Sequence, residues 1–562
     1  MTNKEIAGVL KETSSLIELT GGNPFRSRAM ANAGRTIQRL EDSVADLLEE
    51  GTLTDVRGIG SGLQDQLGQL LRTGSFDVRE ELLNSVPPGL LDMLAVKGLG
   101  AKKVRTLWKT IGIQTLDELE SAAAAGQIAE LEGFGAKSEA SILESVEALR
   151  RYRKRRHFAD ACSRAEKLSE RLLELPGVRR VEFIGELRRR LETVAEIGLI
   201  VGVDSDEAEE PLHERFGAGS GSIADGRLVL EDTLQDGFPV RVLVVPVERF
   251  GTELFEATGS ESFVSAWQER FGSPPPESEE SDVFKAADAT PVPPELREEP
   301  IIIDRAVAGD LPALIADSDL RGTLHNHSTY SDGAHSLREM AEAARGMGLT
   351  YFGICDHSRS LRIASGLSIE EVQRQQEEIA DLNEEFAADD GDEFRIFSGT
   401  ESDILSDGSL DYPDDVLATF DFVVASVHVG FNMTEAEATD RVVRAVENPY
   451  TRILGHPTGR LLLRREGYPL DHEAVLDACA EHGVAVELNA NPYRLDLDWR
   501  WIGAATGRGI LISINPDAHA VDQLAYTRWG VAVARKGGLT PADCLNTMSV
   551  ERFSDWIQSG KR

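Results

Sequence analysis

Short apolar runs alternate with helical patterns from about residue 317 to the end of the chain: YFGICDH, FRIFSGTE, FDFVVASVH, TRILGHP, VAVELNA and ILISINPDAH. Parallel strands need a crossover between them, so this repetition predicts a parallel sheet or barrel. Residues that follow such strands gather at one end of a barrel, and here they are types that bind metals. LHNHSTYSDG carries His325 and His327, whose spacing of two sends both imidazoles to one face of a strand, with Asp332 in the turn beyond. His357, Glu401, His428 and His456 follow the next runs, and Asp517 and His519 repeat the spacing of two. Six of the eleven histidines fall in this set. The others, His157, His213, His335, His472 and His482, read as core or surface residues. Nine candidate ligands at successive strand ends predict metal binding.

Residues 1–156 read as helical, with amphipathic stretches such as IQRLEDSVADLLEE between glycine turns. One element recurs as VRGIGSGLQDQL, VKGLGAKKVRTL and LEGFGAKSEASI. Each copy has a Gly-apolar-Gly turn before a helix start: Gly58 and Gly60, Gly98 and Gly100, Gly133 and Gly135, at spacings of 40 and 35 residues. Glycine permits the tight turn and a close approach, so the next helix's free N–H groups can face a phosphate. This resembles the helix-hairpin-helix module, a sequence-independent binder of the DNA backbone. Lys102 and Lys103 add charge to the second copy, and RRYRKRRHF, from Arg150 to Phe158, suggests a second basic patch.

The net charge of −37 argues against a generic nucleic-acid binder. The first 156 residues nevertheless hold 21 basic and 22 acidic side chains, so nearly all the excess lies beyond them. No apolar run is long enough to span a bilayer, and the N-terminal MTNKEIAGVLKE lacks a signal-peptide pattern, so a cytoplasmic protein without membrane contact is expected. Four scattered cysteines fit a reducing compartment.

Residues 158–300 alternate strand-like runs with helical pieces, and GSPPPESEESDVFKAADATPVPPELREEP reads as an extended connection between domains. Within this region GELRRRLETVAEIGLIVGVD, from Gly185 to Asp204, has the form of a nucleotidyl-transfer site without its metal-binding aspartates.

Taken with NPFRSRA near the start and PPELRE at Pro293–Glu298, these segments make the chain resemble, nearly end to end, the bacterial and archaeal family X DNA polymerases that carry a C-terminal PHP domain. Members that polymerise have Gly-Ser before an arginine pair, Asp-Ile-Asp on a strand and a third aspartate on a neighbouring strand. Here Gly185, Arg188, Arg189 and the ETV of Glu192–Val194 match, but the serine position is Glu186. The aspartate positions are Glu196, Gly198 and Arg241, and the family's Tyr-Phe-Thr-Gly reads Glu256-Ala257-Thr258-Gly259. Two-metal phosphoryl transfer needs hard oxygen ligands, so the expectation is a palm that has lost polymerase activity.

All nine C-terminal positions match the PHP ligand pattern. The resemblance implies a distorted (β/α)7 barrel with three metal ions. His325, His327, Glu401 and Asp517 would hold one; Glu401, His428 and His456 a second; Asp332, His357 and His519 the third. Imidazole with carboxylate suits Mn2+ or Zn2+, and the family favours Mn2+. Arg460 and Arg494 are candidates to grip phosphate alongside Glu401 at the catalytic centre.

The expected organisation is multidomain: a helical helix-hairpin-helix region over 1–156, an α+β nucleotidyltransferase-like palm over 157–275, a connection over 276–316 and the PHP barrel over 317–562. The expected function is a monomeric, DNA-binding, metal-dependent phosphoesterase of DNA repair. It would act on 3′ ends as a 3′–5′ exonuclease or 3′-phosphatase, with cleavage at abasic sites as a further family activity. The rival readings are a small-molecule phosphatase of histidinol-phosphate type, an active family X polymerase and a non-catalytic DNA scaffold.

Overall fold

A computed structural model describes residues 1–38, 40, 42–204, 209–216, 221–224, 227–388 and 394–560. The chain separates into two compact units, Met1–Arg153 and Lys154–Arg562.

The first unit is helical. Its repeated turns enter the helices Ser61–Thr73, Ala101–Ile111 and Ala136–Arg153. Gly58, Gly98 and Gly133 take the left-handed conformation, with φ of 92°, 85° and 83°, which a side chain would strain. Ile59 and Leu99 bury beneath the first two turns and anchor them, while Phe134 in the third is half-buried. Separate buried clusters form around Leu10, Ile37 and Leu67 and around Leu90, Val104 and Ile142.

The second unit holds two sheets and a short ribbon. Strands β1 (Arg156–His157), β2 (Val178–Phe183), β3 (Thr193–Val194), β4 (Ile197–Val203), β5 (Gly221–Ala224), β6 (Arg227–Thr233) and β7 (Pro239–Pro246) come first. β1 and β3 pair as an antiparallel ribbon, and the rest form a mixed sheet in the order β2-β4-β7-β6-β5, with β4 and β7 parallel. Next come β8 (Gly322–Thr323), β9 (Tyr351–Ile354), β10 (Arg395–Asp403), β11 (Phe422–Ser426), β12 (Thr451–Leu454), β13 (Ala485–Asn489) and β14 (Ile512–Asn515). Among the described residues these last strands pair in sequence order as a seven-stranded parallel sheet. The sheet curls until its ends nearly meet: Asn326 bridges Ala518, and the His327 amide donates to the Ala518 carbonyl at 2.8 Å. The strands are buried on both faces, as a barrel with an outer layer of helices requires.

The mixed sheet and the barrel are not independent bodies. One buried cluster runs from Phe158, Val201 and Val242 to Leu454, Leu488 and Ile514.

The segment expected to be an extended connection is folded. It contains the helices Glu280–Ala286 and Ile301–Ala308, and Val283, Phe284, Val292, Ile302 and Ile303 bury against Phe255, Phe263 and Trp267. The Pro- and Glu-rich composition hides this spaced apolar set. A charged network also fixes the segment. Arg297 is 2% exposed, donates to the Val292 carbonyl at 2.9 Å and pairs with Glu280 at 2.5 Å. Arg188 binds the same Glu280 through both terminal nitrogens at 2.7 and 2.8 Å. Burial would raise the Glu280 carboxyl, but Arg297 and Arg188 outweigh it and bring it to about 2.

Removing one partner of a buried pair leaves the other charge uncompensated, so Arg297→Ala should cost about 3–5 kcal/mol of stability. Glu280 should add a pH signature. Its folded-state carboxyl is depressed, so its contribution is complete above the ordinary carboxylate range and is lost as the pH falls toward about 2. Denaturant unfolding of the wild type and of Glu280→Gln across that acid range should show a shallower loss of stability in the variant. Parallel pH curves would refute the network's role.

Candidate metal centre

Every residue expected to bind metal reaches the end of the barrel where the strands finish. His325 and His327 follow β8, His357 follows β9, Glu401 lies within β10, His428 follows β11, His456 follows β12, and Asp517 and His519 follow β14. Glu401 is 1% exposed and sits at the centre. Its Oε1 lies 3.3, 3.1 and 3.0 Å from the Nε2 atoms of His325, His428 and His456. Its Oε2 lies 3.7 Å from His327 Nε2 and 2.9 Å from His357 Nδ1. Asp332 stands 3.4 Å from both His357 Nε2 and His519 Nε2. Asp517 Oδ1 is 3.2 Å from His327 Nε2 and 3.8 Å from His325 Nε2.

Three sets of ligand atoms are close enough to share an ion: His327, Asp332, His357 and His519; His325, His327 and Asp517; and His357, Glu401 and His428. They overlap the expected sets with four differences. His327 also joins the Asp332 group and His357 the Glu401 group, while Glu401 is missing from the His325 group and His456 from the Glu401 group. His456 enters through its contact with Glu401.

Among the described residues, the buried ring nitrogens His325 Nε2, His327 Nδ1, His357 Nδ1 and His456 Nδ1 make no hydrogen bond. Polar atoms buried in this way are costly unless something coordinates them. Imidazole and carboxylate in these numbers fit divalent transition metals.

The charges are mutually supported. Burial would raise Glu401, but His428, His325 and His357 hold its carboxyl well below the usual range. Burial would lower His428, and Glu401 with Asp403 instead lifts it to about 10. His519 rises to about 9, with Asp332 and Asp517 overcoming its burial. His327 falls to about 3 through burial and the neighbouring His519 and His357.

A second layer is not apparent from the motifs alone. Glu487, in the middle of β13 and fully buried, accepts from His325 Nδ1 at 2.6 Å and from Asn489 at 2.8 Å. Asp403 accepts from His428 Nδ1 at 2.6 Å, and Asn489 donates to Asp517 at 3.1 Å. Asp356 gathers Ser328, Ser331 and Gln375 beneath His357. Such partners fix ring orientation and tautomer. The sequence does hold signals of them: a glutamate inside the apolar VAVELNA, and an aspartate two residues after Glu401 on the same strand face.

The two arginines expected to grip phosphate differ. Arg494 Nε lies 3.5 Å from Asp517 Oδ2, at the edge of the cluster. Arg460 is already engaged within the protein. It donates to the Arg494 carbonyl at 3.0 Å, to the Leu495 carbonyl and to Asp498 at 2.6 Å, so its guanidinium holds a loop.

In the mixed sheet, the three aspartate positions carry no metal-binding set among the described residues. Gly198 of β4 is buried, and a Cβ there would come within 2.9 Å of Ile184 Cγ1. Arg241 of β7 pairs in register with Gly198 on one side and Glu231 on the other. Burial raises the Glu196 carboxyl, and Arg241 is the cation that opposes this. Glu186 accepts from Arg155 at 3.0 Å and from the Ala195 amide at 2.9 Å. Arg188 is committed to Thr258 and Glu280, and Arg189 to the Thr258 carbonyl and Glu298.

In the first unit, Gly60 and Gly100 are exposed N-caps with no side-chain cap bond, and Cβ atoms at all six hairpin glycines would meet open space. The open space fits approach by a ligand rather than tight internal packing. Lys102 is exposed, and the Lys103 ammonium lies 5.3 Å from the Phe134 ring centre, joining the second and third turns. The basic run expected as a patch is largely paired: Arg150 with Asp117 and Glu120, Arg153 with Asp92, Arg155 with Glu186 and Arg156 with Asp236.

Comparison with known proteins agrees with this division. Residues 1–76 match the helix-hairpin-helix domain, residues 90–148 the SAM-like helix-hairpin-helix tandem and residues 323–491 the PHP domain. The chain is 31% identical to a probable phosphatase of Acetivibrio thermocellus, over 42% of this chain and 95% of that protein. A probable phosphatase of Syntrophotalea carbinolica is 27% identical over 40% of this chain and 90% of its own length. The DNA polymerase/3′-5′ exonuclease PolX of Bacillus subtilis is 34% identical over 99% of this chain and its own entire length. With that likeness running through both units, the chain belongs to the bacterial PolX family, DNA polymerases of family X with a C-terminal PHP domain.

Proposed function

We propose that this PolX-family protein is a DNA-repair phosphoesterase of the cytoplasm that acts on DNA 3′ ends as a 3′–5′ exonuclease or 3′-phosphatase, and that its palm does not polymerise. The observation that carries the reading is the contrast between the two sites. The barrel gathers eight candidate metal ligands around a ninth, Glu401, whereas the palm offers a glycine and an arginine where carboxylates are needed. A carboxylate at position 198 would also collide with Ile184.

Divalent cations held by the nine side chains, Mn2+ in the first place and Zn2+ as the alternative, would supply Lewis acidity, an activated water near neutral pH and neutralisation of phosphoryl charge. The chain's own part is to place and shield. Glu401 offers both oxygens to the centre of the cluster, and Glu487 and Asp403 set the His325 and His428 rings. Arg494 stands where a phosphoryl oxygen beside Asp517 would meet a guanidinium. The hairpin turns bring DNA by its backbone, with helix N–H groups and Lys102 and Lys103 as contacts.

The Bacillus subtilis relative is named for both polymerase and exonuclease activity, so polymerisation is the second reading. Labelled primer-template incubated with Mn2+ and dNTPs separates the two. Primers should shorten and never extend. Template-directed extension that persists in His325→Ala would have to arise in the palm and would sink the proposal.

Glu401→Ala should abolish nuclease activity, by at least about 10³-fold, because the central carboxylate organises the whole ligand set. Near-normal turnover with an unchanged circular dichroism spectrum would show that Glu401 has another role.

Because Met1–Arg153 forms a unit of its own, a fragment spanning Lys154–Arg562 should still hydrolyse a small phosphodiester. On DNA at sub-saturating concentration it should lose about 10²-fold in efficiency, since tethering raises the local substrate concentration. Equal efficiency of the fragment and the full chain would move the small-molecule phosphatase reading ahead.

A further inference from the structure

The palm signature is altered at its metal positions, yet its ETV segment touches the barrel. β3 begins at Thr193 and pairs with β1, His157 lying opposite Thr193. The Phe158 amide donates to the Glu192 carbonyl at 3.0 Å, which ties the two strands of the ribbon together. From this ribbon two side chains reach the loops at the mouth of the metal centre. Glu192, 8% exposed, lies 3.6 Å from Arg460 Nη2 and 3.4 Å from Arg500 Nη1. His157 Nε2 lies 3.0 Å from the Leu462 carbonyl, and its ring meets Tyr493 edge-on at 4.9 Å.

Both contacts lead to the same loop. Arg460 binds the carbonyls of Arg494 and Leu495 and the carboxylate of Asp498, which also takes Arg500 at 2.9 Å. The Leu462 amide donates to the Tyr493 carbonyl at 2.7 Å. Leu495 is left-handed, with φ of 45°, so the loop's course depends on outside support. The guanidinium of Arg494, at the end of this chain of contacts, stands 3.5 Å from Asp517.

We propose that the β1–β3 ribbon is a positioning element of the nuclease, in which Glu192, acting through Arg460, sets the loop that presents Arg494 to the phosphate of the substrate. This rests on the barrel being the nuclease. The altered palm thereby keeps a use, since a segment of the former nucleotidyl-transfer signature braces the neighbouring active site. Removing the Glu192 charge leaves Arg460 with Asp498 as its remaining carboxylate and lets Arg494 drift. Misplacement of a substrate-holding group by about 1 Å can cost up to about 10²-fold.

The test uses the full chain. Glu192→Gln keeps the shape and removes the charge, and should lower kcat/KM on a 3′-ended oligonucleotide about tenfold, mainly through KM. Arg494→Ala should impair the enzyme in the same way, and the double variant should be no worse than Arg494→Ala alone, because one effect passes through the other. Hydrogen exchange of the metal-free protein should quicken over 491–498 in Glu192→Gln and stay unchanged elsewhere in the barrel. His157→Ala, from the same ribbon, should quicken exchange over the same residues. Additive losses in the double variant, or an unchanged loop in both ribbon variants, would overturn the proposal. A wild-type protein inert on DNA would instead defeat the nuclease reading, and the exchange measurement would still judge the brace.

Discussion

Glu401 is a carboxylate removed from water, with both oxygens facing imidazoles from five different positions along the chain. Burying a lone anion is prohibitive, so the site exists only if the barrel delivers compensating partners from many strands at once. Closure is therefore chemical as well as architectural. The bridge between Asn326 and Ala518 brings the two ends of the sheet together, and with them His325 and His327 from one end and Asp517 and His519 from the other. The backbone bends to do so. His325, His456 and Asp517 have φ of 54°, 21° and 52°, unfavourable values for residues with side chains. Strain gathered at three members of one cluster is the mark of a site held in shape by its surroundings.

The palm shows the opposite balance. Its arginines are paired with the segment that follows it: Arg188 and Arg297 share Glu280, and Arg189 shares Glu298 with the buried ammonium of Lys536 from the barrel. Arg190 and Arg535 likewise meet on Glu295. Two of these pairs, Glu298 with Lys536 and Glu295 with Arg535, tie the segment before the barrel to the barrel itself.

Most of the barrel and the gathering of all nine candidate ligands at one end of it are legible in the sequence, because strand-end position and residue type coincide there. The second layer is harder to see. Glu487 and Asp403 look like misplaced acids in apolar strands until the rings they orient are known, since contacts 162 and 25 residues apart leave no local pattern. The connection misleads because proline and glutamate dominate its composition, while its burial depends on Phe255 and Trp267 supplied by earlier helices. The partners of Arg460 are hidden for a related reason. They are two carbonyls and the Asp498 carboxylate, 34 to 38 residues further along the chain.

A chain of net charge −37 that handles DNA must solve its repulsion locally. At physiological salt, exposed charges beyond about 8 Å are largely screened, so the acidic surface of the second unit acts only at short range. What then matters is the chemistry within that range of a phosphate. The hairpins offer backbone N–H groups at glycine caps, where no carboxylate side chain caps the helix. Few counterions are displaced by such contacts, so affinity should depend on salt less steeply than for a lysine-rich binder. The barrel mouth keeps Arg494 against Asp517, among buried carboxylates and imidazoles that offset one another. Under the proposed function, grip and cutting are thus separable by physics: hairpin contacts through backbone N–H groups need no metal, whereas phosphoester hydrolysis at the ligand cluster does.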